Sequence, residues 1–136
     1  MRLDSDDWLD PHAIEVMSSI LGRNKKIGLV FPDYFEVDNG GKILRLMRRH
    51  DFRKVKLLDQ PAHGACTMIR KENLIDIGGY DEEMIYNQDD EFNHRATISG
   101  KKIWMDPSIK IKYYARSSFR KLFIQYFNYG YYKVRS

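Results

Sequence analysis

The stretch 25–48, "KKIGLVFPDYFEVDNGGKILRLMR", constrains the fold more than any other part of this chain. Two runs rich in β-branched and aromatic residues flank Asp38-Asn39-Gly40-Gly41, a hairpin signal in which Asn39 and Gly40 can take positive φ. Residues 25–37 therefore read as one strand, with a bulge or break at Pro32, and 42–48 as its return. A lone hairpin is marginal in water, so the rest of the chain has to cover it. Upstream, Asp10 reads as an N-cap and Pro11 as the first helical residue. Ile14, Met17, Ile20 and Leu21 recur at helical spacing up to Gly22. Downstream, 51–61 is polar and reads as a surface loop, "GACTMIRK" as a strand, and "KENLIDIGG" as a short helix closed by glycine. "NQDDEFNHRATISGK" reads as a second helix whose leading acids complement the helix dipole. "KKIWM" and "IKIKYYA" are strands around the turn "DPS", and the aromatic, basic C-terminal segment starts as a helix. Strands and helices thus intermix, which is the α/β class, a mixed sheet with flanking helices.

A chain of 136 residues is about one domain, and 43% hydrophobic with 31% charged residues is ordinary for a soluble globular protein. The net charge of +4 and pI near 9.1 suit an anionic partner: phosphate, nucleic acid or an acidic membrane surface. The single cysteine, Cys66, excludes an internal disulfide. No apolar run is long enough to span a bilayer, and the N-terminus carries no signal-type apolar stretch. The expected localisation is cytoplasmic, with the inner face of the membrane within reach.

Three constellations can carry chemistry. Asp4, Asp6 and Asp7 stand within the first seven residues. An Asp-x-Asp at a strand end suits a hard divalent cation, and the same acids can equally be solvated or capping groups beside Asp10. A calcium loop is excluded, because Trp8 and Leu9 fill places that need an acid and a glycine. The second constellation is Asp89, Asp90 and Glu91, which leave a helix start in different directions. One can face a cleft as a general base while another caps the helix. In the third, Phe119, Leu122, Phe123, Tyr126 and Phe127 form a helical stripe ringed by Arg116, Arg120, Lys121, Lys133 and Arg135. Such a stripe packs against a core or lies on anionic lipid. Of the four histidines none has metal-site spacing. His63, in "PAHGAC", has small neighbours that leave room for a ligand. No glycine-rich phosphate loop occurs, and Cys66 lacks the partners of a nucleophile.

The order of these motifs is more specific than each alone. "RLDSDDW", "GACTMIRKENLIDIGGYDE", "QDDEFNHR" and the tail "QYFNYGYYK" together resemble inverting family 2 glycosyltransferases of the GT-A fold, above all bacterial enzymes of exopolysaccharide (succinoglycan-type) synthesis. The resemblance covers the chain except the hairpin at 25–60. It implies a hexosyltransferase-type enzyme moving sugar from a nucleotide-diphosphate donor to a saccharide or lipid-linked acceptor. It further implies that Asp4 faces the ribose or metal, that Asp6 coordinates Mg²⁺ or Mn²⁺ on the diphosphate, and that Asp89 is the general base, with Asp90 the neighbouring candidate. Gln88 stands where the family has glutamate. The acceptor side would comprise His63, Gly64, Ala65, Gln88 and Arg95. In the family, several βα units precede the Asp-x-Asp motif, whereas three residues do here, and a βαβ unit needs about 30. The expected architecture is therefore a truncated GT-A fold lacking its N-terminal nucleotide-binding units. Residues 1–116 would form the acceptor-side half and 117–136 an aromatic, basic helical segment with peripheral membrane contact. Another chain could supply the missing half. The rival reading is a non-catalytic basic and aromatic module for anionic membrane or nucleic acid. The grouping of the acids favours the transferase, and no nucleic-acid partner is expected.

Overall fold

The computed structural model describes residues 1–3, 8–47, 66–114 and 118–134. Five strands and four helices follow in chain order. They are β1 (Arg2–Leu3), α1 (Ala13–Arg23), β2 (Ile27–Val37), β3 (Ile43–Met47), β4 (Cys66–Ile69), α2 (Lys71–Ile77), α3 (Gln88–Ile98), β5 (Lys102–Tyr114) and α4 (Phe119–Lys133). The class is mixed α/β. β2 lies at the centre of the sheet. β5 runs parallel to it along one edge, while β4 and β3 pair antiparallel with the first and second halves of the other. β1 adds antiparallel to β4, with Leu3 opposite Cys66.

The hairpin forms where the local signal placed it, with one change. Gly41, not Asn39 or Gly40, takes the positive φ, at 79°. Asp38 decides this: its Oδ1 accepts the backbone N–H groups of Gly40 and Lys42, both at 2.9 Å, so the turn closes two residues later. Strand β2 runs unbroken through Pro32, and its partner takes up the irregularity. Pro32 is opposite Asp106 and Asp33 is opposite Lys110, so three extra residues of β5 bulge out beside the proline. The expected pair of strands around "DPS" is thus one bulged strand.

An odd number of inserted residues moves the following side chains to the other face of the sheet. On β5, Ile103 and Met105 join one core cluster, with Leu29, Phe31, Phe92 and Ala96. From the end of the bulge onward, Ile109 and Ile111 join the other, with Ala13, Met17, Leu21, Ile27, Val30 and Cys66. Helix α3 therefore covers one face and α1 the other. A second irregularity, between Ile27 and Leu29, switches faces on β2 and centres on Gly28. A Cβ at Gly28 would run into the side-chain amide of buried Asn73 and lie 3.1 Å from the Lys101 Cβ. Gly28→Ala is expected to lower stability by about 1–3 kcal/mol through overpacking, read from urea unfolding.

Helix α1 starts at Ala13, later than the Asp10-Pro11 signal suggests. Asp10 still acts as a cap one turn earlier: its Oδ1 accepts the His12 N–H at 2.8 Å and its carbonyl accepts the Ala13 N–H at 3.0 Å. The helix also passes through Gly22. Arg70, from just after β4, donates to the carbonyls of Leu21, Asn24 (3.2 Å) and Ile27 (3.2 Å). A cation at these orphan carbonyls satisfies the C-terminus without a glycine cap.

Candidate active site

Helix α3 carries the best-described part of the site. The Tyr80 ring packs tilted against that of Phe92 with centroids 4.8 Å apart, and Phe92 and Ala96, one turn apart, anchor the helix on β2 and β5. The chain turns into α3 at Asn87, which at φ 60° is the one non-glycine residue with positive φ among the described residues. Asparagine tolerates this left-handed conformation better than most side chains. Asn87 does not cap the helix. Its Nδ2 donates instead to the Tyr129 carbonyl of α4, at 2.9 Å.

The three acids of the first turn then take separate positions. Asp89 is half-buried and lies one turn before Phe92 and Asn93, both buried. Asp90, equally half-buried, lies one turn before buried Asn93 and exposed His94 and is already engaged by a neighbour, whereas no hydrogen bond or ion pair ties the Asp89 carboxylate to another described residue. Glu91 binds Arg95 at i,i+4 through both of its oxygens, one of them 2.6 Å from Arg95 Nη2. Gln88 is half-buried beside them.

Arg95 was expected on the acceptor side. In the structure its donors serve the protein. Besides Glu91, it donates to the carbonyls of Ile77 at 2.5 Å and Gly79 at 2.8 Å, and its guanidinium lies 5.5 Å from the Phe92 ring centre. The hydrogen bond that Arg95 donates to the Glu91 carboxylate raises the Arg95 pKa above its ordinary value, so the guanidinium stays charged. Arg95 thus joins α3 to the turn after α2, where Gly78 and Gly79 both take positive φ. The Glu91–Arg95 spacing is the ion-pair signal that a sequence reading focused on catalysis passed over. Arg95→Ala is expected to lower stability by about 2 kcal/mol, because three charge-assisted partners lose their donor. Arg95→Lys should recover only part of this, since an ammonium cannot span the fork. Thermal and urea unfolding of both variants check it.

The remaining expected site residues, Asp4, Asp6, His63, Gly64 and Ala65, lie outside the described residues. So does the expected proximity of Asp6 to Asp89. Their neighbours are placed: Leu3 pairs with Cys66, and Trp8 pairs with Lys112 on the free edge of β5, with N···O distances of 3.3 and 3.1 Å. Among the described residues no group of three or more His, Cys, Asp or Glu side chains is placed to hold a metal ion. No described helix is long and apolar enough to cross a membrane.

No family model matches the chain. Over 68 residues, half of the chain, it is 40% identical to succinoglycan biosynthesis protein ExoA of Rhizobium meliloti. Over 115 residues, 82% of the chain, it is 26% identical to an uncharacterized glycosyltransferase of Methanocaldococcus jannaschii. The matched stretches cover 21% and 40% of the lengths of these two relatives. By these similarities the chain resembles glycosyltransferases of exopolysaccharide synthesis.

Proposed function

We propose that this chain carries the acceptor-side chemistry of an inverting glycosyltransferase in exopolysaccharide or cell-envelope glycan synthesis. The donor is a nucleotide-diphosphate sugar and the acceptor a saccharide or lipid-linked hydroxyl. The observation that carries the reading is the start of α3, where Asp89 is half-buried and untied to other described residues, within a chain similar to a succinoglycan biosynthesis protein. In a single displacement the Asp89 carboxylate takes the proton from the acceptor hydroxyl. The hydroxyl oxygen attacks the anomeric carbon from the face opposite the leaving group, and the C–O bond to the diphosphate breaks. Glu91 and Arg95 hold the first turn of α3 in place for this step. Asp4 and Asp6 would hold Mg²⁺ or Mn²⁺, which would neutralise charge on a leaving diphosphate; this assignment rests on the resemblance of "LDSDD" to the family's Asp-x-Asp motif.

The test is the stereochemistry of the product. A full-length enzyme containing this sequence, given labelled nucleotide sugar and acceptor, should form a glycoside of inverted anomeric configuration, read by NMR. Retained configuration would overturn the reading, because one base on the acceptor side cannot produce it.

A further inference from the structure

Helix α4 is amphipathic in the reverse of the usual sense. Among its described side chains Gln125, Asn128 and Tyr132, at i, i+3 and i+7, are half-buried and, flanked by Leu122 and Tyr129 at 38% and 37% exposure, form the strip that faces the domain. Its apolar residues point outward. Phe119 is 92% exposed, Phe123 72%, Tyr126 66%, Phe127 66% and Ile124 47%, and together they span an arc of about 160° of the helix circumference. A surface helix of a water-soluble domain normally turns such an arc inward.

The roll of the helix is set by contacts. Asn87 donates to the Tyr129 carbonyl, and the Tyr86 ring lies 5.6 Å from that of Tyr132 and 6.3 Å from that of Tyr129. These hold the polar strip against the segment leading into α3 and leave the aromatic arc facing away. Charge then distinguishes among the possible occupants of that arc. Residues 1–106 hold 16 basic and 19 acidic side chains, whereas 107–136 hold seven basic and no acidic ones. Arg120 and Lys121 lie exposed in the first turn of α4, which has no acid to pair with. A second copy of the helix would bring like charges together. An anionic bilayer meets both features, taking the phenylalanines among its acyl chains and the cations at its headgroups.

We propose that α4 is a docking surface for an anionic lipid bilayer, seated by its outward aromatic arc and basic residues, with the Tyr86–Asn87 contact holding the acid-bearing start of α3 beside the membrane surface. Lipid-linked acceptors reside there, so the surface fits the transfer reading. The lipid contact is nonetheless measured without any sugar nucleotide, so either proposal can fail without the other.

The test is co-sedimentation of the chain with vesicles of pure phosphatidylcholine or of phosphatidylcholine with phosphatidylglycerol. Binding should be much tighter to the anionic vesicles and weaken as salt rises. The pair Arg120→Glu and Lys121→Glu should weaken it by at least roughly fivefold per basic residue removed. The pair Phe123→Ser and Phe127→Ser should abolish it while circular dichroism stays that of the parent, since both rings are exposed. Equal binding to the two vesicle types, or binding to neither, would overturn the proposal. So would a lipid-free dimer that the phenylalanine variants dissociate, which would make a second copy the occupant.

Discussion

Replacing Asp89 by asparagine is expected to cut turnover by roughly 10²–10⁴-fold, the ordinary contribution of a general base, while binding of the donor persists. The substitution keeps the shape of the side chain and removes its basicity. Nothing in the packing opposes it, because no described side chain depends on the Asp89 carboxylate. The loss should therefore fall on kcat and not on stability, which separates it from the Arg95 variants. The assay compares Asp89→Asn and Asp90→Asn in the full-length enzyme by single-turnover transfer, with donor affinity measured in parallel. Near-normal turnover in Asp89→Asn together with loss in Asp90→Asn would move the base to Asp90. The two acids leave α3 about a hundred degrees apart, Asp89 one turn before Phe92 and Asp90 one turn before His94.

Phe92→Ala is expected to be the most destabilising single change in the described core, at about 3–5 kcal/mol. Phe92 has no exposed surface and fills the space between α3 and the sheet, against Leu29, Phe31, Ile103 and Met105. Its ring also contacts Tyr80 and lies under the Arg95 guanidinium. The cavity left by alanine cannot collapse readily, because the strands on its far side are hydrogen-bonded on both edges of β2. Domains of this size are stable by only about 5–15 kcal/mol, so the variant should show a markedly lower urea midpoint or fail to fold cooperatively. Loss of activity in this variant would accompany loss of structure, unlike Asp89→Asn. A midpoint within experimental error of the parent would show that α3 does not rest on the sheet as described.

What the sequence by itself determined about this protein was local. The hairpin at 38–41, the glycine stop after α2, the acids in the first turn of α3 and the helical aromatic tail follow from turn chemistry, dipole and spacing within a few residues. The resemblance to exopolysaccharide glycosyltransferases was also legible, because it rests on the order of motifs. Tertiary contacts decided the rest. Helix α1 runs past Gly22 because Arg70, far along the chain, satisfies its last carbonyls. Ile14 fits the helical pattern but stays exposed, since the sheet meets the Ala13–Met17–Leu21 side. Strand β5 changes face at a bulge that only the register with β2 creates. Arg95 serves backbone carbonyls 16 and 18 residues away, which no spacing rule connects to it. The aromatic stripe of α4 was readable as a stripe, but its direction was not. Periodicity says which residues share a face, and only the partners of the opposite face, here Tyr86 and Asn87, decide which way that face points.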